Sequence, residues 1–90
     1  MDYKITYTNS ADNDLAKLEK DLAKRIITKL NFFLQSKNPL EYAKKLKGLK
    51  LDTYRYRIGD YRVIFRLNKE NNTIVILVIL RILHRKSVYN

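Results

Sequence analysis

Cysteine and tryptophan are absent from this chain, and glycine and proline are scarce. The 90 residues contain no Cys or Trp, two Gly and one Pro. The lack of cysteine excludes disulfide bonds and thiolate metal ligands, and it is compatible with a reducing cytoplasm. With 46% hydrophobic residues, the composition is that of a folded chain, and its length predicts a single domain over residues 1–90.

Long apolar segments are also lacking. The longest apolar run, residues 74–80, is too short to cross a bilayer. The first ten residues, MDYKITYTNS, lack the basic-then-apolar pattern of a signal peptide. We therefore expect a cytoplasmic protein without a membrane partner.

Acidic residues are too few to balance the basic ones. The chain has 19 Lys and Arg against 9 Asp and Glu, a net charge of +10, which favours a polyanionic partner without choosing among nucleic acid, an acidic protein and an anionic surface. Ten of the twelve lysines lie at or before Lys50, whereas six of the seven arginines lie at or after Arg55. We expect the lysines to form solvated surface and the arginines, whose guanidinium is the better clamp for phosphate, to form a site.

The first half of the chain predicts a strand followed by helices. Residues 3–8 alternate apolar and polar side chains, which is typical of a half-buried strand. Ser10 is a candidate N-cap for a helical region. Its apolar residues recur at spacings of three and four: Ala11, Leu15, Leu18, Leu22, Ile26, Leu30 and Phe33. They fit one long helix or a helical hairpin with a turn at residues 19–21 and Asp21 as a second N-cap, and Asn38 before Pro39 ends the helical region.

The second half predicts three antiparallel strands. Residues 40–50 indicate a turn of helix and then a loop. Strands follow over residues 53–58, 61–67 and 73–83, and the last is apolar on both faces up to Arg81, as expected of a central strand covered on both sides. The order predicts an α+β fold: an N-terminal strand, a helical hairpin and a three-stranded antiparallel meander, with the helices on one face of a mostly antiparallel four-stranded sheet.

The stretch TYRYRIGDYRVIF, residues 53–65, gathers arginines on one face of a hairpin. Folding about Gly59 and Asp60 sets Arg57 opposite Arg62. Strand alternation then separates two faces: Arg55, Arg57, Arg62, Ile64 and Arg66 on one, and Tyr54, Tyr56, Val63 and Phe65 on the other. Like charges facing each other destabilise a sheet, so the arginine side predicts a grip on phosphate, with a merely solvated face as the alternative.

The tail LHRKSVYN, residues 83–90, adds an imidazole, two bases and a phenol. His84 is the only histidine; a histidine suits proton transfer near neutrality, although a lone one is more often structural. The carboxylates Asp52, Asp60 and Glu70 are scattered, so no zinc site, two-metal centre or cofactor motif is evident, and an enzyme built from these residues is expected to work without metal. Metal-free cleavage of RNA is reasonable because the substrate's own 2′-hydroxyl is the nucleophile, and arginines can neutralise the phosphoryl charge.

The sequence YRYRIGDYRVIF, followed by an apolar strand and then HRKSVY, resembles the RelE/ParE toxin superfamily. The resemblance covers nearly the whole chain, including the KKLKGL segment before the hairpin. It implies a RelE-like fold. For the RelE branch it implies a toxin of a type II toxin–antitoxin system that cleaves mRNA in the A site of the ribosome and is neutralised by a RelB-like antitoxin.

The resemblance also implies roles for individual residues. Arg62 and Arg85 match phosphate-contacting arginines of the family, and Tyr89 matches a tyrosine that stacks or assists proton transfer. Arg55 stands where well-studied members often have a catalytic lysine, and Thr53 replaces a second one. Because arginine is a poor proton shuttle, the identity of the general base stays open, and His84 is a candidate. The other basic residues expected to contact RNA are Arg57, Arg66, Arg81 and Lys86.

Two other functions remain open at this point. Toxins of the ParE branch share the fold but poison DNA gyrase by binding, and their sites typically lack this set of basic and proton-handling residues. The presence of Arg62, Arg85 and Tyr89 favours the ribonuclease over the gyrase inhibitor. A non-catalytic basic RNA-binding module is less favoured because the motifs of the common modules are missing.

Overall fold

The computed structural model describes residues 2–46, 53–70 and 74–88. The elements in chain order are β1 (Asp2–Tyr7), α1 (Asn9–Ala16), α2 (Lys20–Gln35), a 3₁₀ turn (Pro39–Tyr42), β2 (Ala43–Lys45), β3 (Thr53–Ile58), β4 (Tyr61–Glu70), β5 (Ile74–His84) and α3 (Arg85–Val88). The α+β class is confirmed.

The sheet has five strands in the described part of the chain, in the order β1-β5-β4-β3-β2. β1 pairs with β5 in parallel, and the other pairs are antiparallel. The prediction of four strands was wrong because β2 lies within residues 40–50, where a turn of helix and a loop were expected. Three residues are too few to show an alternating pattern, and β2 forms by backbone pairing of Ala43–Lys45 with β3. Residues 47–50 of that segment lie outside the described residues.

The seven apolar residues that recur at helical spacing from Ala11 to Phe33, here called the helical stripe, span two helices and the turn between them. This is what the helical-hairpin interpretation predicts. All seven stripe residues are buried or partly buried, and the chain leaves α1 at Ala16 and enters α2 at Lys20. The predicted caps were wrong. Thr8 caps α1, because its Oγ1 accepts a hydrogen bond from the Ala11 amide at 3.1 Å and donates one to the Leu80 carbonyl at 3.0 Å, which ties the cap to β5. Glu19 stands at the N-cap of α2, with Asp21 inside the first turn.

Aromatic rings fix β3 beneath α2. The Phe33 and Tyr56 ring centroids are 4.5 Å apart, and those of Tyr56 and Phe65 are 4.6 Å apart. Tyr56 is fully buried, its hydroxyl donates to the Pro39 carbonyl at 2.7 Å, and burial raises its pKa. Because successive side chains of a strand point to opposite faces, this packing turns the arginines of β3 away from the helices.

β5 lies between β1 and β4, in the central position that its apolar sequence predicts. Only alternate residues are buried, however: Val75, Leu77, Ile79 and, after a shift of register, Ile82. Ile76 and Val78 on the other face stay partly exposed. The expectation of cover on both sides was therefore wrong, because both α1 and α2 pack on one face.

Candidate phosphate-binding site

The predicted arginine face is present on β3 and β4. In the register of this strand pair Arg57 lies opposite Arg62, Arg55 opposite Ile64, and Thr53 opposite Arg66. Arg57 is exposed, and Arg55 and Arg66 are partly exposed. Lys44 on β2 lies opposite Arg55, so the positive charge continues onto a third strand. Sequence reasoning missed Lys44, because its place beside the arginines depends on the unpredicted strand.

The β3–β4 turn consists of Gly59 and Asp60. Gly59 has a φ of 57°, a left-handed conformation that glycine adopts without strain. Arg62 returns to this turn, where its Nη1 donates to the Gly59 carbonyl at 3.1 Å and to the Tyr61 carbonyl at 3.0 Å. The residue is only 4% exposed, and its buried Nε has no hydrogen-bond partner among the described residues. A buried cation with an unmet donor is costly and favours a nearby anion.

Arg85 reaches the same turn from the C-terminal region. It is the first residue of α3, and its amide donates to the Asp60 carbonyl at 2.7 Å. Its Nε lies 3.7 Å from Oδ1 of Asp60, with side chains 52% and 66% exposed. A long, exposed ion pair holds its partners weakly, so the guanidinium of Arg85 can exchange Asp60 for another anion. Arg62 and Arg85 thus both contact the turn at residues 59–61.

Arg81 is engaged elsewhere. Its guanidinium forms two bonds to the Asp14 carboxylate, at 2.8 and 3.1 Å, and the Ile82 amide donates to the same carboxylate at 2.8 Å. Burial opposes ionisation of Asp14, but the hydrogen bonds from Arg81 and Ile82 outweigh it and hold the pKa of this carboxyl below its ordinary value. The hydrogen bond to Asp14 in turn raises the pKa of Arg81. The pair joins β5 to α1, away from the arginines at the turn.

His84 lies at the end of β5, opposite Tyr61. The two rings meet edge to face, with centroids 5.3 Å apart and an interplanar angle of 82°. Its Nδ1 accepts a hydrogen bond from the Lys86 amide at 3.2 Å, so the imidazole holds the first turn of α3. Nε2 is then the ring nitrogen that is left to exchange a proton with a substrate. The Lys86 side chain is exposed, and Tyr89 lies outside the described residues.

Neither a metal cluster nor a membrane span is found in residues 2–46, 53–70 and 74–88. No three His, Cys, Asp or Glu side chains there come together as possible metal ligands. No helix in those ranges is long and apolar enough to span a bilayer.

Comparison with known proteins shows which family this chain belongs to. The protein-family model for the ParE toxin of the type II toxin–antitoxin system parDE matches residues 5–89. Toxin RelG of Mycobacterium tuberculosis is 33% identical over 89 residues, which cover 99% of this chain and 98% of that protein.

Two solved complexes contain similar chains. One, from the toxin–antitoxin complex RelBE2 of M. tuberculosis, superimposes with a TM-score of 0.72 and 32% identity, covering 94% of this chain and 100% of that one. Another, from the archaeal RelE–RelB complex of Pyrococcus horikoshii, gives a TM-score of 0.69 and 28% identity over 94% and 97% of the two chains. The chain therefore belongs to the ParE toxin family, within the RelE/ParE superfamily of toxins of type II toxin–antitoxin systems.

Proposed function

We propose that this toxin is an endoribonuclease that cleaves mRNA in the A site of the ribosome without a metal ion. The observation that supports the proposal best is the convergence of Arg62 and Arg85 on one turn, residues 59–61. Arginines from two distant parts of the chain contact this turn, and in our proposal they act on the same phosphate. A toxin that acted only by binding gyrase would not need this arrangement.

The reaction follows from the chemistry of RNA. The 2′-oxygen attacks the adjacent phosphorus, the bond from phosphorus to the 5′-oxygen breaks, and a 2′,3′-cyclic phosphate and a 5′-hydroxyl result. One proton leaves the 2′-hydroxyl and one reaches the departing 5′-oxygen. In our proposal Arg62 and Arg85 stabilise the negative charge that builds up on the phosphoryl oxygens, as preorganised donors do in other enzymes.

Proton transfer is assigned to the C-terminal region. Nε2 of His84 and the hydroxyl of Tyr89 are the candidate groups, whereas Arg55 holds its proton too tightly to shuttle it and acts through its charge. Replacing Tyr89 with Phe keeps an aromatic ring and removes the hydroxyl. A large loss of cleavage rate would assign the hydroxyl to the chemistry, and an unchanged rate would leave Tyr89 only a stacking role.

The remaining basic residues of the face, together with Lys86 of α3, guide the RNA backbone. We assign this role to Arg57, Arg66, Lys44 and Lys86, which are exposed or partly exposed. Arg81 is omitted from the contacts because Asp14 already binds its guanidinium.

We further propose a cytoplasmic toxin neutralised by a RelB-like antitoxin. The solved relatives are toxins in complex with RelB antitoxins, and a net charge of +10 favours an acidic partner. A small acidic protein encoded beside this gene should co-purify with the toxin. An adjacent reading frame whose product does not bind would count against this partner.

Toe-printing of mRNA on programmed ribosomes tests the activity. Purified, antitoxin-free protein that has been dialysed against EDTA should still cut mRNA in the A site, and naked mRNA should be cut far less. Loss of cutting after this dialysis that added zinc or manganese restores would refute metal independence. Absence of cuts together with inhibition of DNA gyrase would replace this function with that of the ParE branch.

A further inference from the structure

The central strand β5 contains one residue more than its ladder with β4 needs. Phe65 of β4 pairs with Ile79, whereas its neighbour Ile64 pairs with Arg81. Leu80 is therefore the extra residue of a β-bulge. A bulge bends its strand and changes the direction in which the following side chains point, and bulges are common beside functional sites.

This bulge decides where β5 ends relative to the β3–β4 turn. The ladder beyond it ends with Tyr61 opposite His84, and the next amide, that of Arg85, donates to the Asp60 carbonyl at 2.7 Å. A ladder that took in the extra residue would set Leu83 opposite Tyr61 instead. Arg85 would then lie about 3.3 Å farther along, and each side chain beyond the bulge would turn to the opposite face. The contact of Arg85 with the turn therefore depends on the bulge.

Thr8, between β1 and α1, holds one side of the bulge. Its amide donates to the Ile79 carbonyl at 3.0 Å, and its hydroxyl donates to the Leu80 carbonyl at 3.0 Å. The same hydroxyl accepts the Ala11 amide, so the start of α1 is tied to the bulge. Because a bulged residue is left out of the ladder, its carbonyl needs another donor. The Thr8 hydroxyl supplies that donor.

Asp14, farther along α1, holds the other side of the bulge. Its carboxylate accepts the Ile82 amide at 2.8 Å and two bonds from the Arg81 guanidinium at 2.8 and 3.1 Å. The Asp14 side chain is only 10% exposed, so water competes weakly for these bonds. The two residues that follow Leu80 are thus bound to α1. Together, Thr8 and Asp14 form a clamp around the bulge.

We propose that α1 positions Arg85 for RNA cleavage through this clamp, with Thr8 and Asp14 as positioning residues. The role in cleavage rests on the proposed function, whereas the hold on Arg85 does not. Neither positioning residue touches RNA. Both act by fixing the register of residues 81–84, and residue 85 follows directly. Without the clamp, β5 can take up the regular register, in which Arg85 leaves the turn.

Amide hydrogen exchange followed by NMR tests the hold on Arg85 independently of catalysis. Thr8→Val removes the hydroxyl and keeps the shape of the side chain. Exchange of the Arg85 amide should then accelerate about tenfold more than that of the Leu46 amide, the size expected for a lost hydrogen bond. The Leu46 amide is the reference because it donates to the Thr53 carbonyl, near the opposite edge of the sheet from β1. Ser10→Gly weakens α1 at an exposed position and leaves the clamp intact, so it should accelerate both amides by a similar factor.

Cleavage on programmed ribosomes tests the consequence for the reaction. Thr8→Val should cleave about 10- to 100-fold more slowly, because a small misplacement of a catalytic group is costly. Thr8→Ser keeps the hydroxyl and should restore most of the rate. In an Arg85→Ala background, Thr8→Val should cause no further loss, because it acts through Arg85.

The exchange and cleavage results separate the clamp from the proposed function. Equal acceleration of the Arg85 and Leu46 amides in Thr8→Val would overturn the proposal, since Thr8 would then only stabilise the fold. A further loss of cleavage in the Arg85→Ala background would also overturn it. Selective acceleration at Arg85 without any cleavage by the wild type would support the clamp and refute the proposed function. Asp14→Ala gives an independent check, and it should also accelerate Arg85 more than Leu46.

Discussion

Arg81 and Arg85 stand close together in sequence at one end of β5, yet their acidic partners lie in opposite kinds of environment. Arg81 binds the Asp14 carboxylate through two bonds of 2.8 and 3.1 Å, and that carboxylate is only 10% exposed. Arg85 lies 3.7 Å from Asp60, whose side chain is 66% exposed. Both arginines have an acidic partner. The burial and geometry of that partner separate an arginine that holds the fold together from one that can bind a ligand.

The difference has a physical basis. Removing the acceptor of a buried amide leaves an unmet hydrogen bond, whereas exposed ion pairs contribute little because water screens them. Asp14 also accepts the Ile82 amide, so its loss would affect the backbone of β5 as well as Arg81. Loss of the Asp60 side chain would leave in place the hydrogen bond from the Arg85 amide to the backbone carbonyl of residue 60.

The largest expected effect is on catalysis at Arg85. Arg85→Ala should reduce cleavage on programmed ribosomes by about 100-fold or more, as loss of one transition-state donor commonly does. Its unfolding free energy should change by less than about 0.5 kcal/mol, because the side chain is exposed. Lys20→Ala, a change in the exposed start of α2, serves as the control and should cleave like the wild type. Undiminished cleavage by Arg85→Ala would remove this residue from the site.

The next effect is on stability, and it should distinguish the two aspartates. Asp14→Ala should lower the unfolding free energy by about 1–3 kcal/mol because it leaves the buried Ile82 amide without its acceptor. Asp60→Ala should lower it by less than about 1 kcal/mol. Urea denaturation followed by circular dichroism measures both variants. Equal losses would show that the two ion pairs do not differ as described.

Acidification should remove the contribution of Asp14. Because the pKa of Asp14 is lower in the folded protein than its ordinary value, its stabilisation is present above that ordinary value, about pH 4, and is lost as the pH falls through the folded pKa. The gap in unfolding free energy between wild type and Asp14→Ala should therefore narrow between neutral pH and the acid range. Urea titrations at several pH values would show this, and a constant gap would contradict the role of the charge.

The smallest expected effect is on the salt dependence of RNA binding. Arg57→Gln should reduce the slope of log K against log salt concentration by about 0.7, the loss of one phosphate contact to a single strand. Arg81→Gln should leave the slope unchanged, because Asp14 binds its guanidinium. A reduction in Arg81→Gln as large as that in Arg57→Gln would return Arg81 to the RNA contacts.

Periodicity predicted the parts of the fold that depend on local alternation. The helical stripe and the pairing of Arg57 with Arg62 are found as predicted, because spacing alone decides which side chains share a face. β2 was missed because it is short, and the cap at Thr8 was missed because its second bond, to Leu80, comes from a distant strand. Sequence patterns carry little information about contacts of that kind.

The site was predictable to a similar extent. The alternation in the hairpin and the family resemblance together indicated Arg62 and Arg85, and both contact the turn. Nothing in the sequence linked Arg81 to Asp14, whose contact joins the first helix to the last strand. The burial of Arg62 was not predictable either, since strand alternation puts it on the same face as the exposed Arg57.

The parallel pairing of β1 with β5 affects how the protein acquires its shape. Asp2 pairs with Ile74 and Tyr7 with Ile79, so the strand made first must wait for the strand made last. Such a topology has a high contact order and pays a large loop-closure entropy before its central strand is in place. During synthesis, assembly of the sheet and of the arginine pair beside it would be among the final events of maturation.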